Sequence, residues 1–274
     1  MAFVHLHNHT EYSLLDGITH IKDMVRRAAD LGMPAVAVTD HGVMSGCVEL
    51  CDACAAVEAE TGKRVKPIYG CEVYFTPEEP IDMQGRPKRF HLLLLAKTTE
   101  GYHNLLKLVS ESHVDNFRYK PLVTLSQLKK YGHGIIASSA CIAGIIPKLL
   151  DNGQFDDAVK WAQTFAACFD PGDFYIELQN QGKEVVTDAG KSQPELNRML
   201  VDVANAAGLK TIATNDSHYL LREDAPAQDL MLCVGMQATL NEESRMRFPN
   251  DQFYMKTEEE MREAMREFPE SCDN

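Results

Sequence analysis

The chain has no run of about 18 consecutive apolar residues, the length a membrane-spanning helix needs. Its opening residues, MAFVHLHNH, combine neither a basic n-region nor an apolar h-region. Both absences predict a protein with no membrane association and no export, and hence a cytoplasmic one. Cations are scarce: 27 Lys and Arg stand against 40 Asp and Glu, a formal net charge of −13. A surface that grips a nucleic-acid backbone over a wide area needs the opposite balance, so only a local site, holding phosphate through metal cations, remains open. The chain lacks a phosphate-binding loop ending in Gly-Lys-Ser/Thr, a His-Glu-x-x-His pair and a Gly-x-Ser-x-Gly elbow. Gly132, Gly134 and Ala137 fit a dinucleotide-type glycine pattern but precede a strand instead of joining strand to helix. No second Cys-x-x-Cys accompanies Cys51 and Cys54 to complete a zinc ribbon. The eight cysteines read as free thiols, with room for a metal ligand among them. Cys47, Cys51 and Cys54 fall at i, i+4 and i+7, the spacing of an apolar helical stripe.

What is present is a rhythm. The 274 residues, 45% of them hydrophobic, suffice for one barrel-sized unit. Short apolar, β-branched segments recur at 3–9, 34–40, 66–76, 90–96, 134–140, 174–179 and 210–216. Between them the apolar positions follow helical spacing, as in Ile21, Met24, Val25, Ala28 and Ala29 with Gly32 as the stop. Seven β-then-α units imply a parallel sheet and are enough to close a barrel. Segments 77–89 and 115–121 interrupt the pattern and read as loops. After residue 216 the alternation ends, and 227–236 and 256–268 read as helices, the second capped by Thr257 with Glu260 in the capping-box position. Residues 221–274 carry thirteen Asp/Glu against six Lys/Arg. The expected organisation is a barrel over 1–219 and an acidic, mainly helical extension over 220–274. Its ending close behind a helix suggests a piece cut from a longer polypeptide.

Metal-ligand side chains gather at the ends of these segments, where barrel active sites are built. His7 and His9 lie two apart at the end of the first strand, so both imidazoles share a face. Alone this is a weak signal. Then the second segment runs into His41, the third carries Glu72, the fourth opens with His91, the fifth runs into Cys141, and the seventh ends in Asp216, Ser217 and His218. Glu72 interrupts an otherwise apolar strand, where a carboxylate is costly to bury unless paired or bound to a cation. Cys141 follows a strand at a helix junction, and a helix N-terminus favours the thiolate that binds metal.

The stretches His7 to Ser13, Thr39-Asp40-His41, Gly70-Cys71-Glu72, Phe90-His91-Leu92 and Thr214 to His218 resemble the PHP (polymerase and histidinol phosphatase) family over essentially the whole chain. The wording of residues 11–17 and 247–256 is similar to its replicative-polymerase branch. The resemblance implies an α/β fold, a distorted seven-stranded (β/α)7 TIM-like barrel, with three divalent metals. By position, His7, His9, Glu72 and Asp216 would hold one metal, Asp16, His41 and His218 a second, and Glu72, His91 and Cys141 a third, with Glu72 as the bridging catalytic carboxylate. Asp16 enters only through the resemblance, since Asp-Gly also reads as a plain turn. Asp16 and Cys141 stand where the phosphatase-like branch usually has His, and Cys141 favours a softer metal such as zinc over magnesium at its position; for the three metals together zinc is expected, with manganese or iron as alternatives. The implied reaction is 3′→5′ removal of a nucleotide at a DNA primer end, two cations lowering the pKa of a shared water. The implied partners are DNA and other replicase subunits. Phe117, Arg118, Tyr119 and Lys120 interleave aromatic and basic side chains and could seat a single strand; a solvated loop anchored by its aromatics reads equally well. Two other readings remain at this point: a catalytically silent docking module of a polymerase, and a free-standing phosphatase.

Overall fold

The computed structural model describes residues 2–77 and 87–274, so most of the 77–89 segment lies outside the described residues. After an extended N-terminal segment, helix α1 (Ile21–Asp30) leads into β1 (Ala35–Val38), then α2 (Cys47–Thr61), β2 (Lys66–Thr76) and β3 (Phe90–Ala96). Next come α3 (Thr99–Val114), β4 (Phe117–Arg118), β5 (Lys120–Thr124), α4 (Leu125–Tyr131) and β6 (Ile135–Ser138). Helices α5 (Ile145–Asp151) and α6 (Phe155–Ala166) precede β7 (Phe174–Gln179), and α7 (Gln193–Ala207) precedes β8 (Lys210–Thr214). Helices α8 (Ala225–Met236) and α9 (Glu258–Ala264) follow.

The strands form one curled mixed sheet in the order β4-β5-β2-β3-β6-β7-β8, with β1 also paired to β2. One edge of the long β2 serves two parallel partners in turn, β1 along residues 66–69 and β5 along 74–76. The N-terminal segment bridges β1 and the chain just beyond β8. On one side the amides of Ala37 and Thr39 donate to the carbonyls of His5 and Asn8; on the other, His9 N donates to Ser217 O at 2.7 Å and Ser217 N to His7 O at 3.2 Å. All seven segments read as strands therefore take part in the α/β barrel, although the first is extended chain with a single bridge, Asn8 to Ser217.

One expectation fails: the sheet is not all parallel. β3 runs antiparallel to both β2 and β6. Strands in parallel need a crossover, usually a helix, and the segment between β2 and β3 offers loop residues instead, so the chain reverses direction. That reversal brings His91, at the start of its strand, to the mouth where the other strands end. A second correction concerns 115–121, which is not a plain loop: β4 and β5 form a hairpin turning at Tyr119, whose φ is +63°.

Helix α1 buries the five residues its spacing marked, and Gly32 adopts φ +72° just beyond it. The main core lies between the sheet and helices α3 to α7, with Phe75, Leu92, Leu94, Leu105 and Phe165 fully buried. Cys47 and Cys54 are buried on α2, whereas Cys51 is exposed; all eight cysteines are free. The acidic tail is tied into the barrel. Met255 enters the core under α1, and Met261 and Met265 enter the main core.

The tightest backbone approach fixes α3 against the turn before β6. A Cβ on Gly101 would stand 1.7 Å from Gly134 O, and Gly134 itself has φ +73°. Gly101→Ala is therefore expected to destabilise the fold by about 2–3 kcal/mol, lowering Tm by roughly 5–10 °C in a thermal melt. An unchanged Tm would show that the two turns separate freely.

Candidate metal centre

The nine residues singled out in the sequence converge on one end of the barrel. His7 and His9 project inward from the N-terminal segment with neither side chain exposed. Their outer nitrogens are fixed by neighbours: His7 Nδ1 lies 2.7 Å from Glu177 Oε1 and His9 Nδ1 lies 2.9 Å from Ser13 Oγ. Ser13 Oγ in turn donates to Asp40 at 2.7 Å and accepts from the His41 amide. Asp40 also accepts from the Thr10 amide at 2.7 Å, which clamps the chain between His9 and Asp16. Each Nε2 is thereby aimed at the barrel mouth, the arrangement by which outer carboxylates and hydroxyls orient metal-binding imidazoles.

At the mouth, His7 Nε2 is 3.3 Å from both Glu72 Oε1 and Asp216 Oδ1, and His9 Nε2 is 3.4 Å from Glu72 Oε2 and 3.2 Å from Asp216 Oδ1. Asp16 Oδ2 is 2.9 Å from His41 Nε2 and 3.3 Å from His218 Nε2. Glu72 Oε1 is 3.0 Å from His91 Nδ1, and Cys141 Sγ lies 3.5 Å from that nitrogen and 3.8 Å from that oxygen. Bonds of about 2.0–2.1 Å to nitrogen or oxygen and 2.3 Å to sulfur, at tetrahedral angles, place ligands about 3.3–3.6 Å apart. The donor set fits divalent metals on that measure. It also fits on a second: His7 Nε2, His9 Nε2, Asp16 Oδ2, His41 Nδ1, Glu72 Oε2 and Asp216 Oδ1 are all buried without a hydrogen-bond partner. Buried polar atoms are ordinarily paired, so six that meet at one place, close together but misaligned as donors and acceptors, suit a shared cation.

The distances keep each implied group together, and mutual proximity also suggests further groupings. Donors fall together as His9, Asp16, His41 and His218; as His7, His9 and Glu72; and as His41, Glu72 and His91. His41 directs Nε2 to Asp16 and Nδ1 to Glu72, at 2.8 Å, so it stands between two clusters as Glu72 does.

Electrostatics in the cluster follow from burial against charge. For Glu72, burial alone would raise the pKa, but His91, His41 and His7 hold it well below the usual carboxylate range. Burial likewise opposes ionisation of Asp16 and Asp216, and neighbouring imidazoles hold both low: His218 and His41 for the first, His7 and His218 for the second. Against the same penalty, Glu72 and Asp16 push His41 up to about 10, and Asp216, Glu177 and Glu72 hold His7 well above its ordinary value. Burial, reinforced by His41 and His218, lowers His9 to about 3, keeping it in the neutral form that a metal takes.

Cys141 requires a correction. Helix α5 has its cap at Gly144, so Cys141 lies ahead of the helix terminus. Burial, with Glu72 and Asp216, drives its thiol well above the ordinary range. A cation, and not the helix, is what would draw out the thiolate.

Three non-glycine residues in or beside the cluster have positive φ: Leu15 at 64°, Ala140 at 57° and Asp216 at 49°. Each such conformation costs roughly 1–3 kcal/mol and clusters at functional sites. Asp16 is further held by α8, where the buried Gln228 donates to its carbonyl. His218 is held by the tail, its amide donating to Phe253 O at 2.8 Å.

Sequence reasoning missed Glu177. It is fully buried on β7 and accepts from Gln179 Nε2 at 2.9 Å, from Ser138 Oγ and from Thr214 Oγ1, besides contacting His7. The signal was available: like Glu72, it is a carboxylate within an apolar strand. Glu177→Ala is expected to weaken metal binding by about 10–100-fold in a competitive chelator titration, because His7 loses the group that orients it. An unchanged affinity would make Glu177 a packing residue only.

The cluster opens into a cleft of about 990 Å³, which Lys120 also lines. Of the four hairpin residues, Phe117 and Tyr119 are exposed, Lys120 places Nζ 5.2 Å over the Tyr74 ring, and Arg118 donates to the Phe117 carbonyl at 2.9 Å. Tyr74 stacks on His41 at 5.6 Å, so the hairpin adjoins the cluster.

The profile of the PHP domain family matches residues 5–181, and the chain belongs to that family. Beyond the family, it is similar to DNA polymerase III subunit alpha of Borreliella burgdorferi, 39% identical over 99% of this chain and 23% of that protein. The same subunit of Thermus aquaticus is 37% identical over 96% of this chain and 21% of its own length. The chain thus spans less than a quarter of these relatives. A solved amidohydrolase from Chromobacterium violaceum superposes with a TM-score of 0.44 at 16% identity, covering 79% of this chain and 88% of that one.

Proposed function

We propose that this domain is a metal-dependent phosphodiesterase that removes nucleotides from a 3′ end, as the proofreading part of a bacterial replicative DNA polymerase. The observation that carries the reading is the convergence of His7, His9, Asp16, His41, Glu72, His91, Cys141, Asp216 and His218, with six inward-facing atoms unpaired. Three divalent cations, zinc foremost at the Cys141 position, would activate water near neutral pH and neutralise the phosphate. The chain's own residues supply the rest. Glu72 and Asp216, kept ionised by the surrounding imidazoles, balance the cationic charge, and Glu177 and Ser13 hold His7 and His9 in one orientation. The relatives named as polymerase subunits support the setting, with the primer strand and the other replicase subunits as partners.

The test is a mismatched-primer assay on metal-supplemented protein. The wild-type chain is expected to shorten the 3′ end, His9→Ala to abolish shortening, and neither to extend the primer. Wild-type protein that fills with metal yet leaves the primer intact would make the domain a docking module; equal digestion by the variant would expose a contaminating nuclease.

A further inference from the structure

We infer that the segment 245–249 binds the sugar-phosphate backbone of a single strand whose end lies on the metal cluster, with Arg247 taking an internal phosphate; this rests on the function proposed above. The segment belongs to the tail, yet Met246, Arg247, Phe248 and Pro249 line the same cleft as Asp16, His41 and His218. It is pinned at both ends of its short length. Arg245 is buried and grips Asp229 of α8 through two contacts of 2.5 Å, and Phe248 stacks on Phe253 at 4.4 Å while meeting the His218 ring edge-on at 4.9 Å. Arg247 stands between these anchors. Its Nη2 is steadied by the carbonyls of Leu240, at 2.8 Å, and Glu242, at 3.0 Å, and among the described residues it forms no ion pair with a carboxylate. In a chain of net charge −13 a fixed cation beside an acidic metal cluster complements a phosphodiester strand.

The cleft wall beside it is apolar where a small polar phosphate ester would need no such wall. Leu14 is 82% exposed, Leu15 49% and Met246 57%, all three on this cleft. Bases packed against these side chains would remove their apolar area from water. Tyr74, with Lys120 Nζ over its ring, borders the cluster at His41 and His91, whereas Phe248, next to Arg247 in the chain, borders it at His218. A strand would accordingly be held at two separate points.

The experiment uses metal-supplemented protein, a single-stranded oligonucleotide of about 20 nucleotides and bis(p-nitrophenyl) phosphate as a small diester. Arg247→Ala should raise KM for the oligonucleotide about tenfold and reduce the salt dependence of oligonucleotide binding by about one unit of log–log slope, with bound metal equal to wild type. Arg247→Lys should restore most of the slope, which a purely structural role would not produce. If the wild type cleaves both substrates and Arg247→Ala changes neither KM nor slope, the backbone site is overturned while the hydrolase reading stands. A wild type that fills with metal but cleaves neither substrate overturns both.

Discussion

Removing divalent metal with a chelator is expected to lower Tm by roughly 10 °C. A site held at about 1,000 times its Kd contributes about 4 kcal/mol, and each kcal/mol moves Tm by roughly 2–4 °C in a chain of this size. The difference should depend on pH, in a direction the cluster dictates. Without metal, His41 is raised from 6.5 to about 10, so its stabilising proton is fully present below its unfolded value and is lost as pH rises through the folded one. Metal competes for the same imidazole and must displace that proton, so metal affinity rises with pH. The gap between loaded and stripped melting temperatures should therefore widen from about pH 6 to about pH 9. An absent gap would mean that the cluster holds no cation, and a gap independent of pH would mean that the metal displaces no proton from these imidazoles.

Replacing Glu72 by Gln should have the largest effect on catalysis. Glu72 lies within 3.4 Å of His7, His9, His41 and His91, so in the proposed centre its charge would serve more than one cation. The loss of 3′-end shortening should reach about 10³-fold or more, about 4 kcal/mol of barrier. Metal content should fall by two equivalents, whereas His91→Ala should cost one. Gln preserves the volume, so the circular dichroism spectrum should be kept. A variant that retains wild-type metal content would show that Glu72 is not shared. One that retains activity would move the chemistry elsewhere.

How much of this was legible beforehand differs by residue. His7, His9, His41, Cys141, Asp216 and His218 could be placed because strand periodicity fixes where an element ends, and ligands at element ends converge by topology alone; Glu72 stands out instead as a carboxylate inside an apolar strand. Asp16 could not. Its position depends on the left-handed Leu15 and on the Ser13 carbonyl accepting from the amides of Asp16 and Gly17, a turn with no periodicity to read. The direction of β3 escapes the sequence because recurring apolar segments imply crossovers throughout, although no helical spacing separates β2 from β3. Composition also set the tail apart, since charge counts are blind to which few residues are buried. Met255, Met261 and Met265 tie it to the core, and Phe253 positions His218.

We propose that these side chains hold a cluster of cations. Anomalous scattering from crystals of metal-supplemented protein, collected at the zinc, iron and manganese edges, tests it most directly. Three peaks are expected, each about 2.0–2.3 Å from donors among His7, His9, Asp16, His41, Glu72, His91, Cys141, Asp216 and His218. Crystals with those side chains ordered and no anomalous peak among them would contradict it.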